Sequence, residues 1–152
     1  MTTTTASDIG RAELADAKAF ALAGNATLTV ENARTGGRFT FRVSRPKGRD
    51  ANDPLFVNVL RGPDNEADFT YLGCLWPARG LEFGRTRGTK VGEQAPSMVA
   101  WRWLWARINA KSALPAGVTV WHEGKCGACG RKLTVPESIR SGLGPVCAAR
   151  AA

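Results

Sequence analysis

The chain has 152 residues, 43% apolar and 22% charged, with 21 Lys and Arg against 13 Asp and Glu and a formal charge of +8. That length carries one ordinary core with a small appendage, and those fractions exclude disorder as the default state. The positive balance favours polyanions such as nucleic acid, acidic proteins or anionic membrane surfaces, and excludes nothing about fold.

In chain order, residues 1–6 read as a tail and "SDIGRAELADAKAFALAG" (7–24) as a helix. Ala, Leu, Glu and Lys are strong helix formers, Ser7 or Asp8 supplies a cap, and Gly24-Asn25 supplies a stop. Four strand-like runs follow, at 27–32, 38–45, 55–62 and 69–76. The first two flank "ARTGG", whose Gly36-Gly37 pair reaches positive φ and predicts a hairpin. In the second run Phe39, Phe41 and Val43 alternate with Arg38, Thr40, Arg42 and Ser44, the pattern of a half-buried antiparallel strand. Short polar loops between the runs predict a four-stranded antiparallel meander. The Gly- and Arg-rich stretch 77–96 has room for a short strand at Leu81–Phe83.

A second, Trp-rich helix is expected from "SMVAWRWLWARINAKSAL" (97–114), with Ser97 as cap. Met98, Trp101, Leu104, Trp105 and Ile108 fall in one arc at the helical period, a core stripe. Trp103 lies on the other side with Val99 and Ala110, either packed on the C-terminal portion or exposed to a partner. Arg102 and Arg107 interrupt the apolar run, which is too short to span a bilayer. After the linker "LPAGV" the composition turns to Gly, Cys and basic residues. The expected organisation is α+β: a domain over 1–118 and a small C-terminal zinc-knuckle module over 119–152.

The opening "MTTTTASDIG" has neither a basic start nor an apolar signal region, so the expected location is the cytoplasm. Thiols are reduced there, which turns clustered cysteines toward metal rather than disulfides. The spacing His122-x3-Cys126-x2-Cys129-x17-Cys147 fits that use. Two cysteines two residues apart bring both sulfurs to one side of a turn, and Gly127 and Gly130 let that turn bend. A Cys3His set is what Zn²⁺ takes in closed structural sites. Pro136 and Gly142 bracket a short helix, and Pro145 starts another with Cys147 in its first turn. Alternatives stay open: a solvent-exposed His122 with the fourth ligand from elsewhere, a redox Cys-x2-Cys pair, or a catalytic zinc with Glu123 as base. Cys74, in the fourth strand, reads as a buried thiol.

The stretch from His122 to Cys147 resembles a family of small cysteine modules of unknown function found in bacterial, phage and plasmid proteins. Its pattern is Cys-x2-Cys-Gly-Arg-x-Leu, then Pro-x-Ser-Ile, then Gly-x-Gly-Pro-x-Cys. It is met at Cys126, Cys129, Gly130, Arg131, Leu133, Pro136, Ser138, Ile139, Gly142, Gly144, Pro145 and Cys147. "FALAGNATLTV", "TGGRFTFRV" and "GPDNEADFTYLG" are similar to that family's upstream region, so the resemblance extends over most of the chain. It implies zinc binding and a phage or mobile-element setting, and no established activity.

Charge is unevenly placed. Residues 34–49 hold Arg34, Arg38, Arg42, Arg45, Lys47 and Arg49 without an acid, and Arg131 and Lys132 follow the cysteine turn. Acids gather in "DNEAD" (64–68). A basic strand face beside a basic zinc module suits a phosphate backbone, with Arg38, Arg42, Arg45, Lys47, Arg131 and Lys132 as contacts. The competing structural reading is a solvated strand face, with Arg131 bracing the module. No Ser/His/Asp set, P-loop or Rossmann pattern, or paired carboxylates on a recognisable scaffold are found, so no enzyme is expected. Two functions of different class stand. One is a DNA- or RNA-binding accessory protein of phage or mobile-element type. The other is a module docking on a host or phage protein through Trp103 and the acidic turn, with purely structural zinc.

Overall fold

The structure is a computed structural model that describes residues 12–13, 17–45, 53–61, 68–122 and 128. Seven strands and two α-helices occupy those residues. They are β1 (Ala12–Glu13), α1 (Ala17–Ala21), β2 (Asn25–Asn32), β3 (Gly37–Ser44), β4 (Leu55–Leu60), β5 (Phe69–Trp76), β6 (Glu82–Gly84), α2 (Pro96–Asn109) and β7 (Val118–His122). The strands form one antiparallel sheet in the order β1-β7-β2-β3-β4-β5-β6.

The mixed helix-and-strand class agrees with the sequence, but the sheet is larger than the expected four strands. β6 extends it at one side, and β7 and β1 extend it at the other. β7 pairs with β2 from Leu28↔His122 to Asn32↔Val118, so the expected division after residue 118 falls inside a strand. "VTVWH" is rich in β-branched and aromatic residues, and it satisfies backbone groups that the edge of β2 would otherwise leave unpaired. Ala33 N–H donates to the Gly117 carbonyl (2.8 Å), tying the start of β7 to the end of β2.

The first helix also differs from expectation. Among the described residues it is confined to α1, while Ala12 and Glu13 pair with His122 and Trp121 in the sheet. Tertiary pairing here outweighs a favourable helical composition, as it commonly does for weak intrinsic propensities. α2 starts one residue before the expected cap. Ala95 occupies the N-cap position without a side-chain cap, Pro96 opens the helix with its φ already set, and Ser97 is buried in the first turn. The helix stops at Asn109, and Lys111 turns the chain at a φ of 54°.

One face of the sheet carries the core. Leu28, Val30, Phe41, Val43, Leu55, Val57, Val59 and Leu75 meet Met98, Trp101, Leu104, Trp105 and Ile108 of α2, with Phe20 of α1 in the same cluster. Trp101 and Trp105 stack at 5.6 Å and 13°, and Phe41 tilts onto Trp101 at 5.1 Å. The Trp105 indole donates to the Leu81 carbonyl (2.8 Å), and Asn109 Nδ2 to Gly80 (3.0 Å), clamping α2 to the turn before β6. At Val57/Asn58 the β4–β5 register shifts, with Leu72 as the extra residue. Beside it, a Cβ on Gly73 would run into the Gly84 carbonyl and the Phe83 ring, so only glycine lets β5 and β6 approach there.

Candidate nucleic-acid interface and metal module

β3 turns its alternation into two chemically distinct faces. Phe41 and Val43 are buried toward α2, while Arg38, Thr40, Arg42 and Ser44 lie on the outer face. The hairpin register sets Glu31 opposite Arg38, and their side chains form an ion pair at 3.6 Å. Arg38 is exposed and Glu31 partly so, and the pair contributes about 0–1 kcal/mol. Two register steps inward, Thr29 and Thr40 share a 2.8 Å hydroxyl hydrogen bond.

Arg42 is half-buried, and its guanidinium lies 4.0 Å from the centroid of the Phe69 ring on β5. Stacking of this kind fixes the plane and position of a guanidinium. Arg45 follows β3 directly; its N–H donates to the Gly24 carbonyl (2.9 Å). Its Nε is buried and makes no hydrogen bond among the described residues, a costly state for a charged donor unless an acceptor comes to it. Lys47, Arg131 and Lys132 lie outside the described residues. Sequence reasoning missed the partners Glu31 and Phe69. Glu31 was readable from a hairpin register once the turn was placed; Phe69 was not, because it depends on how β5 aligns.

Of the four predicted metal ligands, the structure places His122, and Cys126, Cys129 and Cys147 lie outside the described residues. His122 ends β7 on the same face as Val120. It is fully buried rather than exposed, with its ring 5.8 Å from that of Phe20. An imidazole held this way, by strand pairing below and an aromatic neighbour beside it, has the fixed orientation a ligand histidine needs. Among the described residues no group of three or more His, Cys, Asp or Glu side chains is gathered as a metal site.

The register relates the ends of β3 and β7. His122 is opposite Leu28, and Leu28 is opposite Phe41. β7 therefore ends level with Phe41, two strand spacings or about 10 Å away, and runs toward the end of the sheet where β3 finishes at Ser44 and Arg45 follows. The chain leaves for residues 46–52 and for residues 123–152 from the same end of the sheet.

Two further sequence candidates are placed. Cys74 is buried and free, its Sγ 3.1 Å from the Tyr71 hydroxyl, which also meets Thr86 Oγ1 at 2.9 Å. Burial, and then the contact with Cys74, raise the Tyr71 pKa above the ordinary tyrosine value. Trp103 is exposed (39%), as is Val99 (49%), and the Arg107 guanidinium lies 4.7 Å from the Trp103 ring. No helix among the described residues is long and apolar enough to cross a membrane.

A family model described as "Family of unknown function (DUF6011)" matches residues 119–152. The matched stretch begins inside β7 and covers the whole cysteine pattern; it does not extend to the upstream segments "FALAGNATLTV", "TGGRFTFRV" and "GPDNEADFTYLG". No curated protein and no solved structure matches the chain.

Proposed function

We propose that the protein is a non-enzymatic, cytoplasmic accessory protein of phage or mobile-element type that binds nucleic acid through its phosphate backbone. Arg38, Arg42 and Arg45 are the contacts on the sheet, and Lys47, Arg131 and Lys132 the contacts beyond it. A structural Zn²⁺ held by His122, Cys126, Cys129 and Cys147 shapes the C-terminal part. The observation that carries the reading is the strand register: the chain leaves β3 and β7 at one end of one sheet, with only β2 between these strands. Arg45, fixed at the end of β3 by the bond from its N–H to the Gly24 carbonyl, supports it. So does the partly exposed Arg38–Glu31 pair, which a phosphate displaces at small cost.

Binding of labelled duplex and single-stranded oligonucleotides to the full chain tests this. Six phosphate contacts predict a loss of about a thousandfold in affinity between about 50 and 200 mM salt. Arg38→Gln should lower the slope of log affinity against log salt by about one without changing the melting temperature. No binding at low salt sinks the reading. Metal analysis of the purified protein is expected to find about one zinc per chain; a metal-free, folded protein removes the zinc.

A second reading, docking on another protein with the zinc purely structural, is favoured by one observation. Val99 and Trp103 are the large apolar side chains left exposed among the described residues, and they are neighbours on α2.

A further inference from the structure

The solvent side of α2 has an order that its core stripe does not require. Val99, Trp103 and Ala106 are exposed and follow one another at helical spacing. Exposed Arg102 borders this strip on one side, and Arg107, stacked on Trp103, borders it on the other. α2 carries no Asp or Glu anywhere along its length, Pro96–Asn109. An indole and an isopropyl group side by side in water are costly to leave uncovered on a molecule whose other large apolar side chains are buried or half-buried among the described residues.

Resting on the protein-docking reading, we propose that this strip docks an acidic polypeptide segment. Apolar anchors of that segment lie on Val99 and Trp103, and its carboxylates meet Arg102 and Arg107. The charge pattern chooses the occupant. A second copy of the chain would set Arg102 and Arg107 against their own equivalents, with no carboxylate on the helix to offset them. A nucleic acid would find the two arginines, but it would leave Val99 and Ala106 uncovered. It would also compete with Arg107 for a face of Trp103 that is already stacked. An acidic partner with apolar anchors uses every feature at once: a Trp and Arg pair as the central contact, small Ala106 for close approach, and cations at both borders.

The test is selection of a displayed random-peptide library on the folded full chain, followed by measurement of each selected peptide on wild type and on the Trp103→Ala variant; a library that yields no binder overturns the proposal. The expected product is a set of peptides rich in Asp and Glu with two or more large apolar residues. Their affinity should fall at least about tenfold with Trp103→Ala and again with Arg102→Glu. Oligonucleotide affinity, measured beside it, should not move with Trp103→Ala. Selected peptides that depend on Trp103 but are neutral or basic overturn the acidic partner while leaving the docking reading in place. Peptides indifferent to Trp103→Ala overturn both. Loss of oligonucleotide binding in Trp103→Ala assigns the strip to nucleic acid instead. A wild-type dimer in sedimentation that Trp103→Ala converts to monomer assigns it to a second copy; either outcome overturns the proposal.

Discussion

Trp101 and Trp103 sit two residues apart on one helix and live in opposite surroundings. Trp101 is fully buried between Phe41, Phe83 and Trp105, whereas Trp103 is exposed and touched by Arg107. The two residues are chemically identical; only their phase on the helix differs, by about 200°. The first holds α2 to the sheet, and the second makes no core contact among the described residues. An aromatic residue therefore gains its meaning from the face it occupies, and the outward one is the informative observation about function.

Substitutions should separate these roles cleanly. Trp101→Ala is expected to destabilise by about 3–5 kcal/mol, read by urea or thermal unfolding, because it opens a cavity under both Phe41 and Trp105. A loss below about 1 kcal/mol would erase the contrast. Trp105→Phe keeps most of the ring but removes the donor to the Leu81 carbonyl, and should cost about 1–2 kcal/mol. A smaller effect belongs to Tyr71, on the outer face of the sheet. Its pKa is raised in the fold, so the neutral phenol contributes stability that is fully present below about pH 10 and is lost as pH rises through the folded value. Unfolding measured from neutral to strongly alkaline pH should show the stability gap between wild type and Tyr71→Phe narrowing only above about pH 10. Trp103→Ala should change stability by no more than about 0.5 kcal/mol, which makes it usable in binding experiments.

The legible parts of the fold were those with a local signal. Phe39, Phe41 and Val43 announce β3 because strict alternation over such a run marks a strand buried on one face. The stripe from Met98 to Ile108 announces α2 by the same logic at a different period. The helix expected over 7–24 rested on helix-forming composition and end signals, and for Ala12 and Glu13 pairing with β7 decided otherwise. β7 was overlooked because the shift toward Gly, Cys and basic residues after 118 drew a boundary through "VTVWH", although its β-branched run was there to be read. At the site, Arg38, Arg42 and Arg45 were legible as charges. Of their environments only the cross-strand Glu31 was within reach of the hairpin register; a stacked ring and a buried Nε depend on how more distant strands align. The burial of His122 was hidden for the same reason: its face is set by the register with Leu28.

The place of β7 in the sheet has a consequence for how the chain comes together. β2 is synthesised well before the strand that covers its outer side, with the meander and α2 between them, while β3 can pair with it at once. During that interval the hairpin presents a free edge, open to pairing with any extended chain nearby. Closing it requires a long loop spanning the whole meander and α2, which places the β2–β7 contact among the slow, late events of folding. A ribosome stalled before residue 118 would hold a sheet with that edge unguarded. The segment that begins the cysteine pattern is thus also the one that seals the fold.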